Sequence, residues 1–479
     1  MEVYKTLPSS PPLLTSVPPH SHIDHHFTPV FLEITAMRYQ HVLLPALASL
    51  AFASDDTISV SDNPAPTPDA LPLEDLRDIP VPTFTTATGV TAQDIPYATA
   101  SAISEVSSQV AATPLSVFPA ATDVPINDAG TNSNGEVDGN ANVISNTNTK
   151  LKRNPSGVAR QPRKRAACDP EPTITNYYNV GLDSAAAFRA DASISDVANT
   201  ANPAPVGYFQ NFKNKQAANS AMNYLGYSVV DTGKGYDVAW CASKCNSKAG
   251  CTAFNIYFER DPTADPGPDC PNPTAFANIK CSFWGTALDE TSATNTGQFR
   301  YDFEVAIAGS NAYTSYKLGG PVAGWLGPQN LGNAALNAPL WDCTNTWTYM
   351  GYKLLQAGSV DPRLCAAACD SQTTYNKAHP AIAADGTAKP VVTCNAFGSY
   401  ILTKNNATGS YQQGQMCTFY TAYWDAKYAT NKASFDDAIG AKYNYTYSAF
   451  YGKQGVQPSC GGEFVGASGT YIKGGKKPT

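Results

Sequence analysis

Asp237-Val-Ala-Trp-Cys241-Ala-Ser-Lys-Cys245 and Asp361-Pro-Arg-Leu-Cys365-Ala-Ala-Ala-Cys369 carry one pattern twice. In each, an aspartate stands four residues before two cysteines at i and i+4, a spacing that stacks both sulfurs on one helix face. Asp237 and Asp361 are placed to cap helix N-termini, and Pro362 suits the first helical position, where its missing N–H costs nothing. Matched blocks flank both helices. Tyr224-Leu-Gly-Tyr227 answers Tyr349-Met-Gly-Tyr352 upstream. Downstream, Cys251-x-Ala-Phe254 with Tyr257 answers Cys394-x-Ala-Phe397 with Tyr400, and Cys281-x-Phe283 answers Cys417-x-Phe419. Insertions fall only between the blocks. The chain reads as a tandem duplication.

Strand signals complete each copy. Thr252, Phe254, Ile256 and Phe258 alternate with Ala253, Asn255 and Tyr257. Phe299, Tyr301, Phe303, Val305 and Ile307 form one face of a second expected strand, and Tyr443, Tyr445, Tyr447, Ala449 and Tyr451 one face of its counterpart. The expected fold is α+β, with one helix stapled to a small antiparallel sheet in each of two modules. Units of roughly 100 residues bury little core, which explains the staples.

All twelve cysteines lie between Cys168 and Cys460, and His379 is the only histidine beyond His41. That disfavours Ser/His/Asp and Cys/His triads and any two-imidazole zinc site. Four thiolates at Cys241, Cys245, Cys365 and Cys369 offer a zinc alternative, but the even cysteine count favours disulfides. Spacing alone leaves the pairing open. Four cysteines have no counterpart in the repeat, and the economical split of these is Cys168–Cys270 and Cys343–Cys460.

Residues 37–53 have a basic start, an apolar run from Val42 and a small-x-small exit at Ala51-Phe-Ala53, the build of a secretory signal peptide cut after Ala53. The run covers about 18 Å as helix, short of a ~30 Å bilayer core, so no membrane anchor is expected. Met37 is then the expected initiator and 1–36 a gene-model extension. Residues 54–165 are poor in aromatics and rich in Ala, Ser, Thr, Pro and Asn, and read as a disordered pro-region. It ends at Lys164-Arg165, a dibasic pair of the type cut by kexin-like proteases. The expected mature body follows as module 1 over 166–310, a Gly/Pro-rich linker over 311–340, module 2 over 341–460 and a flexible tail over 461–479. Beyond Arg165 the chain carries 22 basic and 23 acidic side chains. Such a balance offers no electrostatic footprint for nucleic acid.

The Cys-x3-Cys helix followed by Cys-x-Ala-Phe and Cys-x-Phe resembles the PAN/apple superfamily. That resemblance implies nested bridges, Cys241–Cys281 with Cys245–Cys251 and Cys365–Cys417 with Cys369–Cys394, and a terminus-tying bridge in the role of Cys343–Cys460. Cys270, inside a loop, departs from the pattern. Phe254-Asn-Ile-Tyr-Phe-Glu-Arg-Asp-Pro262, Cys270-Pro-Asn-Pro273, Ala308-Gly-Ser-Asn311 and Ala334-Ala-Leu-Asn-Ala-Pro339 look like a family of secreted ascomycete proteins, labelled effector-like or hypothetical. That likeness implies a fungal origin and secretion.

For chemistry, the acidic stretch Glu259, Asp261, Asp265 and Asp269 offers paired carboxylates for a glycosidase or oxygens for calcium, although it lacks EF-hand spacing. The expectation is no catalytic residue, no metal and no cofactor. The six tryptophans all lie in the body. Trp240, Trp284 and Trp424 read as core, whereas Trp325, in a Gly/Pro-rich stretch, is the candidate contact residue. Asn406-Ala-Thr and Asn444-Tyr-Thr are the body's glycosylation sequons. The reading is a secreted binding protein for glycan or another extracellular protein, at the fungal wall or a host surface. Its alternatives are a carboxylate-based glycan hydrolase and a structural wall component.

Overall fold

The computed structural model describes residues 73–79, 81, 91–115, 143–144, 166–172, 178–201, 203–230, 233, 235–337, 348–356, 358–383, 385–456, 463–465 and 471–473. The expected signal peptide with Ala53, the dibasic pair Lys164-Arg165, Cys343 and Cys460 lie outside these residues, as do Trp341 and Trp347. Helices and antiparallel sheets are both present, and sheet dominates.

The chain first forms α1 (Leu73–Arg77), β1 (Ala92–Asp94), α2 (Thr99–Ala112) and β2 (Val143–Ile144). The first sheet's half of the chain follows, with α3 (Ala185–Arg189), α4 (Ala192–Thr200), β3 (Tyr208–Lys215), β4 (Ala218–Asn219), β5 (Tyr224–Val229) and α5 (Val238–Ser247). It continues with β6 (Ala253–Pro262), β7 (Ala275–Trp284), β8 (Ala293–Asn295), β9 (Phe299–Arg300), β10 (Phe303–Glu304) and β11 (Ala306–Ser315). The second half holds β12 (Trp325–Gly332), β13 (Tyr349–Leu355), α6 (Pro362–Ala378), β14 (Ala396–Asn406), β15 (Gly409–Tyr420), β16 (Ala433–Asp436) and β17 (Ala441–Lys453), with a short ribbon of β18 (Glu463–Val465) and β19 (Tyr471–Lys473).

The first sheet runs β1-β5-β7-β6-β11-β3 and the second β12-β17-β14-β15-β13-β2, with β16 beside β17. Read from β5 and from β13, the two share one strand order. They also share one chain order: edge strand, strand, helix, and three further strands. Asp237 accepts a hydrogen bond from the Trp240 backbone N–H at 2.9 Å, and Asp361 accepts one from Arg363 at 2.9 Å, so both helices start on their aspartates. Bridges tie each helix down: Cys241–Cys281 and Cys245–Cys251 in the first half, Cys365–Cys417 and Cys369–Cys394 in the second. Among the described residues Cys168–Cys270 is the fifth bridge, with Cα atoms 5.8 Å apart. Gly226 and Gly351, the glycines of the matched Tyr-x-Gly-Tyr blocks, sit at φ +99 and +108 beside register shifts in β5 and β13. A side chain at either position would strain the bulge.

Three expectations need correction. The stretch expected as a linker, 311–340, finishes β11 and forms β12, an edge strand of the second sheet. Its glycines and prolines belong to turns and an edge, positions that tolerate them. The strand expected over 299–307 breaks instead into the β9–β10 hairpin, with Phe303 paired to Arg300, before β11 begins. Finally, the stretch expected to be disordered contributes ordered elements. Leu76, Val106, Val110 and Leu115 are all buried, Leu76 completely. β1 pairs with β5, and α2 joins the core around α6. Fully burying each such side chain contributes about 1.5–3 kcal/mol, which offsets the ordering entropy that its polar neighbours leave uncompensated. The signal was in the sequence: Ala102, Ile103, Val106 and Val110 recur at helical spacing.

Candidate functional site

β6 and β7 present two faces. Phe254, Ile256, Phe258, Ile279, Cys281 and Phe283 belong to the apolar core beneath α5. The other face carries Tyr257, Glu259 and Asp261 from β6 against Asn278 and Lys280 from β7. Lys280 pairs with both carboxylates, the Glu259 contact being the shorter and Asp261 lying at 3.0 Å. Asn278 donates to Asp261, and the Lys280 ammonium lies 5.3 Å from the Tyr227 ring centroid. All three charged residues are less than a tenth exposed. Burial, reinforced by the neighbouring Asp261 charge, pushes Glu259 up to about 8. Burial also opposes the Lys280 charge, but Asp261 and Glu259 together hold it well above its ordinary value. At neutral pH burial therefore favours the protonated form of Glu259, beside an ammonium that both carboxylates face.

A glycosidase needs two carboxyls flanking an accessible bond, with room for sugar and water. Glu259 and Asp261 instead converge on one ammonium inside the fold. The same ammonium occupies the place where calcium would need to sit. Among the described residues no group of three His, Cys, Asp or Glu side chains is placed to hold a metal.

The rest of the acidic stretch serves a different structure. Asp265 and Glu171 both accept hydrogen bonds from Arg300, Glu171 at 2.8 Å, while Asp269 is exposed. Arg300 belongs to the β9–β10 hairpin, which is anchored from several sides. Phe303 is fully buried, with the Arg260 guanidinium 4.4 Å from its ring centroid. Arg260 also donates to the Glu304 carbonyl at 2.8 Å, and Arg189 pairs with the Glu304 carboxylate at 2.9 Å. The Asp302 N–H donates to the Pro271 carbonyl at 3.0 Å, next to the Cys168–Cys270 bridge. On this anchored hairpin Phe299 is 70% and Tyr301 59% exposed. Tyr301 adopts φ +51, a left-handed conformation that costs a non-glycine residue roughly 1–2 kcal/mol. Two aromatic rings are thus held in solvent by a rigid base. Alternation had placed both on the same strand face as Phe303, and only the turn at Tyr301 separates them.

Trp325 is not such a residue. It is 8% exposed and meets Phe397 edge-on at 4.7 Å, with Phe397 stacked on Tyr451 at 4.7 Å. The first half repeats this trio in Tyr208, Phe254 and Tyr313, with centroid separations of 5.2 and 5.0 Å. Trp325 is therefore the counterpart of Tyr208 in a structural cluster, and its expected contact role is corrected by burial. Trp284 and Trp424 are also buried, and Trp240 is half-buried against the first core. Asn406 closes β14 at the hairpin into β15, half-buried, its Oδ1 accepting from the Thr408 N–H at 3.0 Å and hydroxyl at 2.7 Å. Asn444 is half-buried on β17, paired on one side with Thr403 and on the other with Ala433. Comparison with protein-family models, with curated proteins and with solved structures finds no match to this chain.

Proposed function

We propose that the chain is a secreted, non-catalytic binding protein built on two PAN/apple-like modules, recognising glycan or glycoprotein at a fungal wall or host surface. The observation that carries this reading is the pair of exposed rings, Phe299 and Tyr301, on a hairpin locked by Arg260, Arg300 and the Cys168–Cys270 bridge. Flat aromatic faces stack on sugars and anchor protein interfaces, and rigid placement lowers the ordering cost of binding. The bridges suit an oxidising compartment. Secretion through residues 37–53, cleavage after Lys164-Arg165 and glycosylation at Asn406 and Asn444 complete the proposal. The likeness to secreted ascomycete effector-like proteins supports the setting.

Pull-down on insoluble chitin, β-glucan and mannan, with a glycan array beside it, tests the reading. The secreted full chain should be retained by at least one, and Phe299→Ala/Tyr301→Ala should lose at least tenfold in affinity, about 1.4 kcal/mol. Retention unchanged by the double substitution would remove the hairpin as the contact. Reducing-sugar release from the same polysaccharides would overturn the non-catalytic reading.

A further inference from the structure

Two buried polar side chains of the second half point at the N-terminal segment. Gln372, on α6, is fully buried, and its carboxamide closes on the backbone of Leu115. Gln372 Oε1 accepts from the Leu115 N–H at 2.7 Å, and Nε2 donates to the Leu115 carbonyl at 3.3 Å. Lys353, on β13, is 2% exposed and donates to the Thr113 carbonyl at 2.8 Å, at the end of α2. Burial pushes the Lys353 ammonium down to about 8. Without the segment, Lys353 and Gln372 would lose these hydrogen bonds to its backbone, Gln372 keeping its bond to Asn376 at 2.8 Å.

Other contacts spread the attachment across both halves. Val106 and Val110 join the core around α6. Leu76 sits in a second core with Leu402 and Met416, while Arg77 makes a two-point contact with Asp436. β1 covers the β5 edge of the first sheet. No cysteine precedes Cys168, so no disulfide can tie this segment to the body.

We infer that the N-terminal segment stays bound to the body through residues 73–79 and 91–115, as a separate, non-covalently held chain after cleavage at Lys164-Arg165, so that the mature protein has two chains. The inference rests on the dibasic reading for its cut and on the structure for its retention. A released pro-region leaves nothing buried behind; loss of this segment would uncover core side chains and remove the bonds of Lys353 to Thr113 and of Gln372 to Leu115.

The test is gel filtration of the secreted full chain after digestion with a kexin-type protease. Both fragments should co-elute at the mass of the whole, then separate on a denaturing gel without reductant. Val110→Asp places a charge in the α2 interface and should move the N-terminal fragment to its own late peak. Ser108→Asp, on the exposed face of the same helix, should leave it bound. If Val110→Asp is not secreted, Gln372→Leu replaces it, with partial loss of the fragment expected. An N-terminal fragment that elutes alone from the unaltered protein overturns the inference. A chain that the protease leaves whole counts against the dibasic site only. Retention is then read by hydrogen exchange on the intact chain. Protection at Val106 and Val110 as strong as in α6 supports it, and exchange at unfolded-chain rates overturns it.

Discussion

The two sheets place opposite chemistry at equivalent positions. Tyr257 faces Lys280 across β6 and β7, as Tyr400 faces Met416 across β14 and β15. The next pair is Glu259 with Asn278 in the first sheet and Leu402 with Gly414 in the second. So the surface that is a buried ion cluster in one half is an apolar core in the other, sealed by Leu76, Tyr443 and Tyr445. The helix side is reversed. Ile256 and Ile279 lie under α5, whereas Ser399 and Gln415 occupy those places near α6, joined at 2.8 Å, and Gln415 also accepts from the Asp361 N–H at 3.0 Å. The bridges and strand order are common to both halves, so they do not depend on which layer is polar. Each layer is free to be polar provided every buried group in it finds a partner.

Replacing Lys280 by the residue of the second sheet breaks this comparison most sharply. Lys280→Met strands Asp261 in the interior and should cost about 3–5 kcal/mol in chemical denaturation. Adding Glu259→Leu and Asp261→Asn, which removes the remaining charges, should recover most of that loss, because an uncharged layer replaces a buried ion pair at little net cost. A triple variant no more stable than Lys280→Met would mean that the first sheet requires its charges.

The staples predict a smaller asymmetry. Cys369→Ser should cost about 2–5 kcal/mol and reduce the yield of folded protein. Cys245→Ser should cost about 1 kcal/mol less, because its bridge spans six residues where Cys369–Cys394 spans 25. Equal losses in the two would point to strain or packing in place of loop entropy.

The pH dependence separates the halves as well. Glu259 is raised in the folded state from 4.5 to about 8. The folded chain therefore binds a proton that the unfolded chain releases within that window, and stability falls as pH rises through it. Glu259→Gln should flatten the fall between about pH 4.5 and 8, whereas Leu402→Gln, at the equivalent position of the second sheet, should leave the slope unchanged. Urea midpoints across that range provide the reading. The smallest effect is expected at Asn406. In a eukaryotic host Asn406→Gln should remove one glycan mass and shift stability by no more than about 0.5 kcal/mol, as at surface positions generally.

Much of the scaffold was legible because its signals are local. Asp237 and Asp361 cap helices a few residues away, the i, i+4 cysteines share a face by helix geometry, and Phe254 to Phe258 alternate because strands do. The candidate contact site was not legible in this way. Phe299, Tyr301 and Phe303 alternate equally well, but Arg260 and the turn at φ +51 send one ring inward and leave two outside. Trp325 looked exposed because its neighbours are glycines and prolines. Its burial depends on Phe397, 72 positions later in the chain.

By itself, then, the sequence determined the paired helices, their caps, the cysteine spacing and the strands that follow, since each depends on neighbours within a turn or a pleat. Tertiary structure alone decided which face of each sheet is polar, where the exposed rings stand, and that residues 73–79 and 91–115 belong to the fold. Those outcomes rest on partners such as Leu115 and Gln372, 257 residues apart. Local periodicity carries no information across such a distance, and only the packed chain brings the two together.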